Sequence, residues 1–394
     1  MSEYQYYEFL AVDRPLTEPE MRELRAVSSR AVITPTRFTN HYEWGSFKGD
    51  PRAWMERYFD AFLYFANWGT HELMLRLPRR VLEPATARRY CRGDAASARV
   101  KGGHVILEFL SEAEGSDWYE EEDEDGSLSA LVPLRADLAA GDLRALYLGW
   151  LLCVQAGELD DGEAEPPCPP GLGRLSAALE AFVAFMRVDR DLLAAAAAGS
   201  AAAEEATPAG EVERWVSGLP EAERTALLAR LVRGEPHLRA ELLRRFRASR
   251  AAAPSGGAAG RRTVAELREA AERRAEARRR REAERAARER ARREREAAEA
   301  RERHLASLAG REAEAWREAE ALIATKQSGK YDAAVALLRD LRELAVRAGR
   351  REEVEARLAG LLDRHAKKPS LVGRLRAAGL VGTGPDDRPA ALAR

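Results

Sequence analysis

Lysine, cysteine and long apolar runs are all scarce in this chain of 394 residues. Only six of its 64 basic side chains are lysine, so nearly every positive charge is a guanidinium. The three cysteines, Cys91, Cys153 and Cys168, lie far apart. They exclude a disulfide framework and point to a reducing compartment. No apolar stretch approaches the roughly eighteen residues that span a bilayer, and MSEYQYYEFL is not built like a signal peptide. The expectation is a cytoplasmic protein without membrane contact. Phosphate-cradling loops are missing too. Gly171-Leu172-Gly173 has no third glycine and Ser328-Gly329-Lys330 no upstream one. There is no Gly-x-Ser-x-Gly elbow and no cysteine beside a histidine base. These absences weigh against an enzyme, and no cofactor or metal is expected.

What is present is enough apolar sequence, 45% of residues, for a real core, and enough length for two or three domains. The near-neutral total of −1 conceals opposed regions. Residues 101–200 carry 6 basic and 20 acidic groups, whereas residues 251–394 carry 34 and 24. Such opposition points to contact between the regions or to two different partners.

Residues 1–165 hold most of the aromatic side chains and read as an α+β domain, a split βαβ-like sheet with helices. Tyr4 to Val12 is a strand by composition. Thr17, with Glu20 three residues on, opens a helix through a capping box. Ile33 to Trp44 alternates, with Phe38, Tyr42 and Trp44 on one side. Asp50–Pro51 starts a helix expected to gather Trp54, Met55, Tyr58, Phe59, Phe62 and Leu63. Leu73 to Leu77, Val105 to Leu110 and Leu128 to Leu134 read as strands, and Asp142 to Gln155 as a helix.

An all-α region follows. Residues 171–250 are helical, with Leu227, Leu228, Leu231 and Val232 marking one amphipathic helix and Leu238, Leu242, Leu243 and Phe246 another. Residues 251–260 (AAAPSGGAAG) are a flexible linker by composition. From 263 to 309 runs a long charged helix. It lacks large apolar residues between Ala270 and Ala300, and Glu precedes Arg by four at 269/273, 276/280, 284/288, 289/293 and 299/303. Such pairs stabilise a solvated helix by about 0.2–0.5 kcal/mol each. Alanine fills coiled-coil positions poorly, so the helix is either a single stalk or a weak coiled coil. A helical hairpin module occupies 311–380, built on Trp316, Leu322, Tyr331 and Leu338, with Ser328-Gly329-Lys330 as its turn. Residues 381–394 read as a disordered tail.

Three sets of residues invite chemistry. His71-Glu72-Leu73-Met74-Leu75 begins like a zinc-protease motif, but Leu75 stands where the second histidine belongs. His41, His71 and His104 form an enzymatic centre only if their strands bring them together. Glu121, Asp123 and Asp125 before Gly126 have calcium-loop spacing, but Val132 replaces the closing glutamate. The best nucleic-acid candidate is Arg76, Arg79, Arg80, Arg88, Arg89 and Arg92, where acidic residues are few and Tyr90 is near.

Gly329-Lys330-Tyr331-Asp332-Ala333-Ala334 with Leu338 resembles the second helix of a tetratricopeptide-type unit, in a single copy. Tyr331 to Leu380 also resembles the C-terminal helices of bacterial SWIM-type zinc-finger proteins, without their Cys-x-Cys … Cys-x-His signature, so no metal role carries over. Trp44-Gly45, Lys48-Gly49-Asp50-Pro51 and Asn67-Trp68-Gly69-Thr70 resemble an uncharacterised bacterial family, which implies a bacterial context and no activity. The leading expectation is a non-enzymatic protein–protein adaptor. The alternatives are a nucleic-acid-associated protein using the arginines and an enzyme of unrecognised type in the first domain.

Overall fold

The computed structural model describes residues 3–112, 128–202, 209–235, 238–250 and 261–380. The expected linker at 251–260, the acidic stretch Glu120 to Asp125 and the tail 381–394 lie outside the described residues. In order the elements are β1 (Gln5–Leu10), α1 (Glu18–Val27), β2 (Val32–Ile33), β3 (Arg37–Tyr42), α2 (Pro51–Arg57), β4 (Ala61–Ala66), β5 (Thr70–Pro78), α3 (Pro84–Tyr90), β6 (Ala96–Lys101) and β7 (His104–Glu112). The short helices α4 (Leu128–Leu131) and α5 (Pro133–Ala139) lead into α6 (Arg144–Gln155), α7 (Ala177–Phe185) and α8 (Arg190–Ala197). Then come α9 (Ala209–Gly218), α10 (Glu221–Val232), α11 (Leu238–Arg250) and α12 (Val264–Ala309). The last four are α13 (Glu312–Ala324), α14 (Ser328–Arg347), α15 (Arg351–Arg364) and α16 (Pro369–Ala377). The chain forms two compact units, Met1–Arg279 and Arg280–Arg394. Their boundary falls inside α12.

In the first unit the seven strands form one antiparallel sheet in the order β2-β3-β1-β4-β5-β7-β6. Strand periodicity splits its side chains between two cores. On one face Phe9, Phe38, Phe62 and Met74 pack with Trp54 and Met55 of α2 and Leu24 of α1. On the other, Leu63, Leu75, Leu107 and Phe109 pack with Trp150 of α6 and Phe182 of α7, together with Leu192, Val264 and Leu267. This second core runs unbroken past residue 165 and takes in the first turn of α12. Gly149 allows the close approach, because a Cβ there would stand 2.5 Å from the Phe109 ring.

Two sequence-coded caps are in place. Thr17 and Glu20 make the reciprocal capping box of α1, and the Asp50 carboxylate accepts from the N–H groups of Arg52 and Ala53.

Three local expectations are corrected. The helix begun at Asp50 ends at Arg57, and Phe62 and Leu63 belong to β4. Asp60 is the reason: its N–H donates to Leu10 O at 2.8 Å, and its carboxylate accepts from the N–H groups of Val12 and Asp13, pinning the chain beside β1. Leu128 to Leu134 is helical, with Leu128, Leu131, Leu134 and Leu138 buried at three- and four-residue spacing. The alternation after Ile33 stops at Tyr42, and Trp44 is 68% exposed beneath the Arg30 guanidinium.

A buried clamp closes the unit. Arg262 donates twice to Glu165, at 2.8 Å each, and to Ala195 O, while the Tyr147 hydroxyl donates to the same carboxylate. Glu165 is thereby satisfied at 4% exposure. Beyond it α12 is solvated, with no buried residue between Glu272 and His304. Of the expected pairs, 269/273 and 289/293 form, whereas Arg280 turns forward to Glu284.

The second unit is all helical. Trp316, Ile323, Tyr331, Leu338, Leu358 and Leu371 form its core, joined by Leu308 from the end of α12. The turn between α13 and α14 falls at Thr325–Gln327, one step before the expected Ser328-Gly329-Lys330, and Lys326 takes it at φ 60°.

Candidate functional site

The α2 face of the sheet carries charge where it runs toward β7 and β6. Glu72 and Glu108 point to this face from neighbouring strands: Glu72 stands opposite Leu110 and Glu108 opposite Met74, which makes the two carboxylates diagonal neighbours. Arg52 of α2 pairs with Glu108. Arg99 of β6 reaches Glu56 at 3.2 Å, yet its Nε and Nη2 are buried without a partner. No described residue hydrogen-bonds the Glu72 carboxyl. Burial, with the Glu108 charge adding to it, pushes that carboxyl up to about 7, against the opposing pull of Arg52 and Arg99. Tyr7 donates to Gln5 Oε1 at 2.8 Å and Tyr64 to the same oxygen at 3.4 Å. Burial raises both phenols, so they act as donors. Glu72 can therefore hold or release a proton near neutrality. Among the described residues no cluster of His, Cys, Asp or Glu side chains is arranged to hold a metal ion.

The three histidines do not meet. His41, Tyr6, Phe65 and His71 form one cross-strand row over β3, β1, β4 and β5. Three strand spacings put His41 roughly 14 Å from His71. His104 pairs with Pro78, at the opposite end of β5, roughly 23 Å along the strand from His71. His71 has a structural role instead. Its Nε2 lies 2.9 Å from the Arg187 guanidinium, which can only donate, so Nδ1–H donates to Phe185 O at 2.6 Å. Burial, reinforced by the charge of Arg187, holds this imidazole down at about 4, where it stays neutral. In the 71–75 segment, strand geometry sends His71 and Glu72 to opposite faces, so the zinc-protease reading has no basis.

The arginine cluster divides. Arg76 is internal: it pairs with Asp60 at 2.8 Å and donates to Glu56 O at 3.0 Å. Arg92 pairs with Glu163 at 3.0 Å. Arg79 and Arg80 lie exposed after β5, and Arg88 and Arg89 lie exposed on α3. Tyr90, the neighbouring aromatic, is buried and donates to Pro167 O at 2.8 Å, so it offers no ring for base stacking.

Large apolar side chains also lie exposed on α9 and α10. None of α10's residues is buried. Leu228 is 63% exposed, Leu231 62% and Val232 88%, with Val216 of α9 at 40%. The spacing 228, 231, 232 places the three α10 side chains on one helix face. Sequence periodicity identified the amphipathic helix, but it does not say that its apolar side looks outward. The Glu72 site escaped the sequence reading, although a carboxylate inside an apolar strand was a usable signal there and at Glu108.

No family model, no curated protein and no solved structure matches the chain. No described helix is long and apolar enough to cross a membrane.

Proposed function

We propose that the protein is a non-enzymatic adaptor that docks a partner protein on the outward face of α10. The observation that carries this reading is the exposed row Leu228, Leu231 and Val232 on a helix none of whose residues is buried. Exposed large apolar side chains normally scatter singly over a monomer; a row on one face marks an interaction surface. Burying each such side chain is worth roughly 1.5–3 kcal/mol, enough to matter against the cost of association. The shape is one helix face, which suits an amphipathic partner helix laid alongside it. Support also comes from the other candidates: the histidines are apart, and the arginines are partly consumed by internal pairs.

The test compares the full chain with Leu228→Glu/Leu231→Glu in affinity capture from the source cells. The adaptor reading expects a specific protein held by the unmodified chain and lost by the variant, with both proteins melting alike. Sedimentation of the purified chain supplies the counter-test. If the chain self-associates through this face and the variant is monomeric, the surface serves assembly and the adaptor reading fails.

A further inference from the structure

Lysine is far rarer than arginine here, and its distribution is uneven. Four of the six lysines, Lys326, Lys330, Lys367 and Lys368, fall in the second unit. Lys326, Lys367 and Lys368 lie in the two connections, α13 to α14 and α15 to α16, and Lys330 follows in the first turn of α14. Hydrogen bonds hold these connections together at one end of the bundle. Lys368 Nζ donates to Ile323 O at 3.0 Å, and Arg374 donates to Ser328 Oγ at 3.0 Å.

Helix capping accounts for only part of this. Lys368 does satisfy a carbonyl at the end of α13. Lys330, however, stands in the first turn of α14 and Lys367 just before α16, where the helix dipole disfavours a cation. Neither helix has an acidic residue in its first turn or a side-chain cap, so its leading N–H groups add to the positive field. Lys326 sits at φ 60°, a left-handed position where glycine is unstrained. The carboxylates Glu320 and Asp332 are taken, by Arg364 at 2.9 Å and by Arg374 at 2.6 Å. Lys326, Lys330 and Lys367 are exposed, and no described carboxylate lies within ion-pair distance of them.

The geometry points to a docking surface for an acidic polypeptide segment, a run of Asp and Glu side chains, held by Lys326, Lys330 and Lys367. A nucleic acid fits less well. Trp316 and Tyr331, the tryptophan and tyrosine of this unit, are buried at 5% and 6% and offer no ring face to a base. The guanidinium forks that suit phosphate are engaged with Glu320 and Asp332, which leaves the point charges of lysine. This surface belongs to a different unit from the α10 face and stands or falls separately from it.

The experiment uses the full chain and a labelled oligoglutamate peptide, followed by fluorescence anisotropy across a salt titration. Binding should weaken as salt rises. Lys330→Gln and Lys367→Gln should each weaken it about two- to fivefold, and Lys48→Gln should leave it unchanged. Lys326→Gly separates binding from architecture: it should raise the melting temperature by relieving the left-handed strain, and lower affinity by removing the charge. Absence of oligoglutamate binding overturns the proposal, as does binding indifferent to the Lys330 and Lys367 substitutions. Tighter binding of mixed-sequence duplex DNA, weakened by those substitutions, assigns the surface to nucleic acid and also overturns it.

Discussion

Glu72 and His71 are neighbours in sequence, face opposite sides of the sheet and titrate in opposite senses, which makes a sharp prediction about pH and stability. The Glu72 carboxyl moves from 4.5 in the unfolded chain to about 7 in the fold. Between those values the native state holds more of the proton, so stability falls as pH rises, by about 3 kcal/mol in all. The His71 imidazole moves from 6.5 down to about 4. Over that interval the unfolded chain holds more of the proton, so stability rises with pH by a similar amount. The two slopes oppose each other from roughly pH 4.5 to 6.5 and nearly cancel. Glu72→Gln should expose the histidine slope. Relative to the unmodified protein the variant should be equal at pH 4 and more stable by up to about 3 kcal/mol at pH 8. His71→Gln should expose the carboxyl slope, with stability falling from pH 4.5 to 7. Urea melts at half-unit steps between pH 4 and 8 read both directly, and taking differences against the unmodified protein removes the other titrating groups. A difference between Glu72→Gln and the parent that stays flat across this range refutes the assignment of a half-buried, proton-holding carboxyl.

Other perturbations have clear expected outcomes. Arg76→Met leaves the Asp60 carboxylate, 1% exposed, without its main cation, and should cost about 3–5 kcal/mol in a denaturant melt. Gly149→Ala forces a methyl against Phe109 and should destabilise by about 1–3 kcal/mol, with no effect on oligoglutamate binding. Burial pushes the Cys91 thiol up to about 12 and Cys153 up to about 11. Iodoacetamide at pH 8 should therefore leave both unmodified in the native protein and alkylate both in urea; mass spectrometry of the labelled peptides distinguishes the two.

The caps at Thr17 and Asp50 were legible because their chemistry is local: a side-chain oxygen and the backbone N–H groups two or three residues away. The α+β character of the first unit and the long charged helix were legible for the same reason, from periodicity and from Glu–Arg spacing. What failed involved partners distant in sequence. Nothing near Tyr58 announces that the chain turns into β4, because the anchor is the Asp60 bond to Leu10 across the sheet. Leu128 to Leu138 carries a helical spacing, but a short apolar run is ambiguous between helix and strand. The histidines were a reasonable candidate centre only while strand order was unknown. The sheet order and register place them along a row and at opposite strand ends. The lysines carry no local signal for a different reason. Each is ordinary alone, and their meaning comes from two connections and the start of α14, which meet at one end of the bundle.

The Glu165–Arg262 clamp bears on how the protein is made. A ribosome delivers the sheet and its helices first, and with them a buried carboxylate whose cation is encoded nearly a hundred positions later. Until Arg262 and the Val264 and Leu267 side chains emerge, the nascent first unit has an uncovered apolar seam and an uncompensated charge. Its final consolidation is therefore postponed until the start of the long helix has been translated. A message cut short before that point yields a chain open to chaperones and proteases, and so does a fragment ending at residue 165.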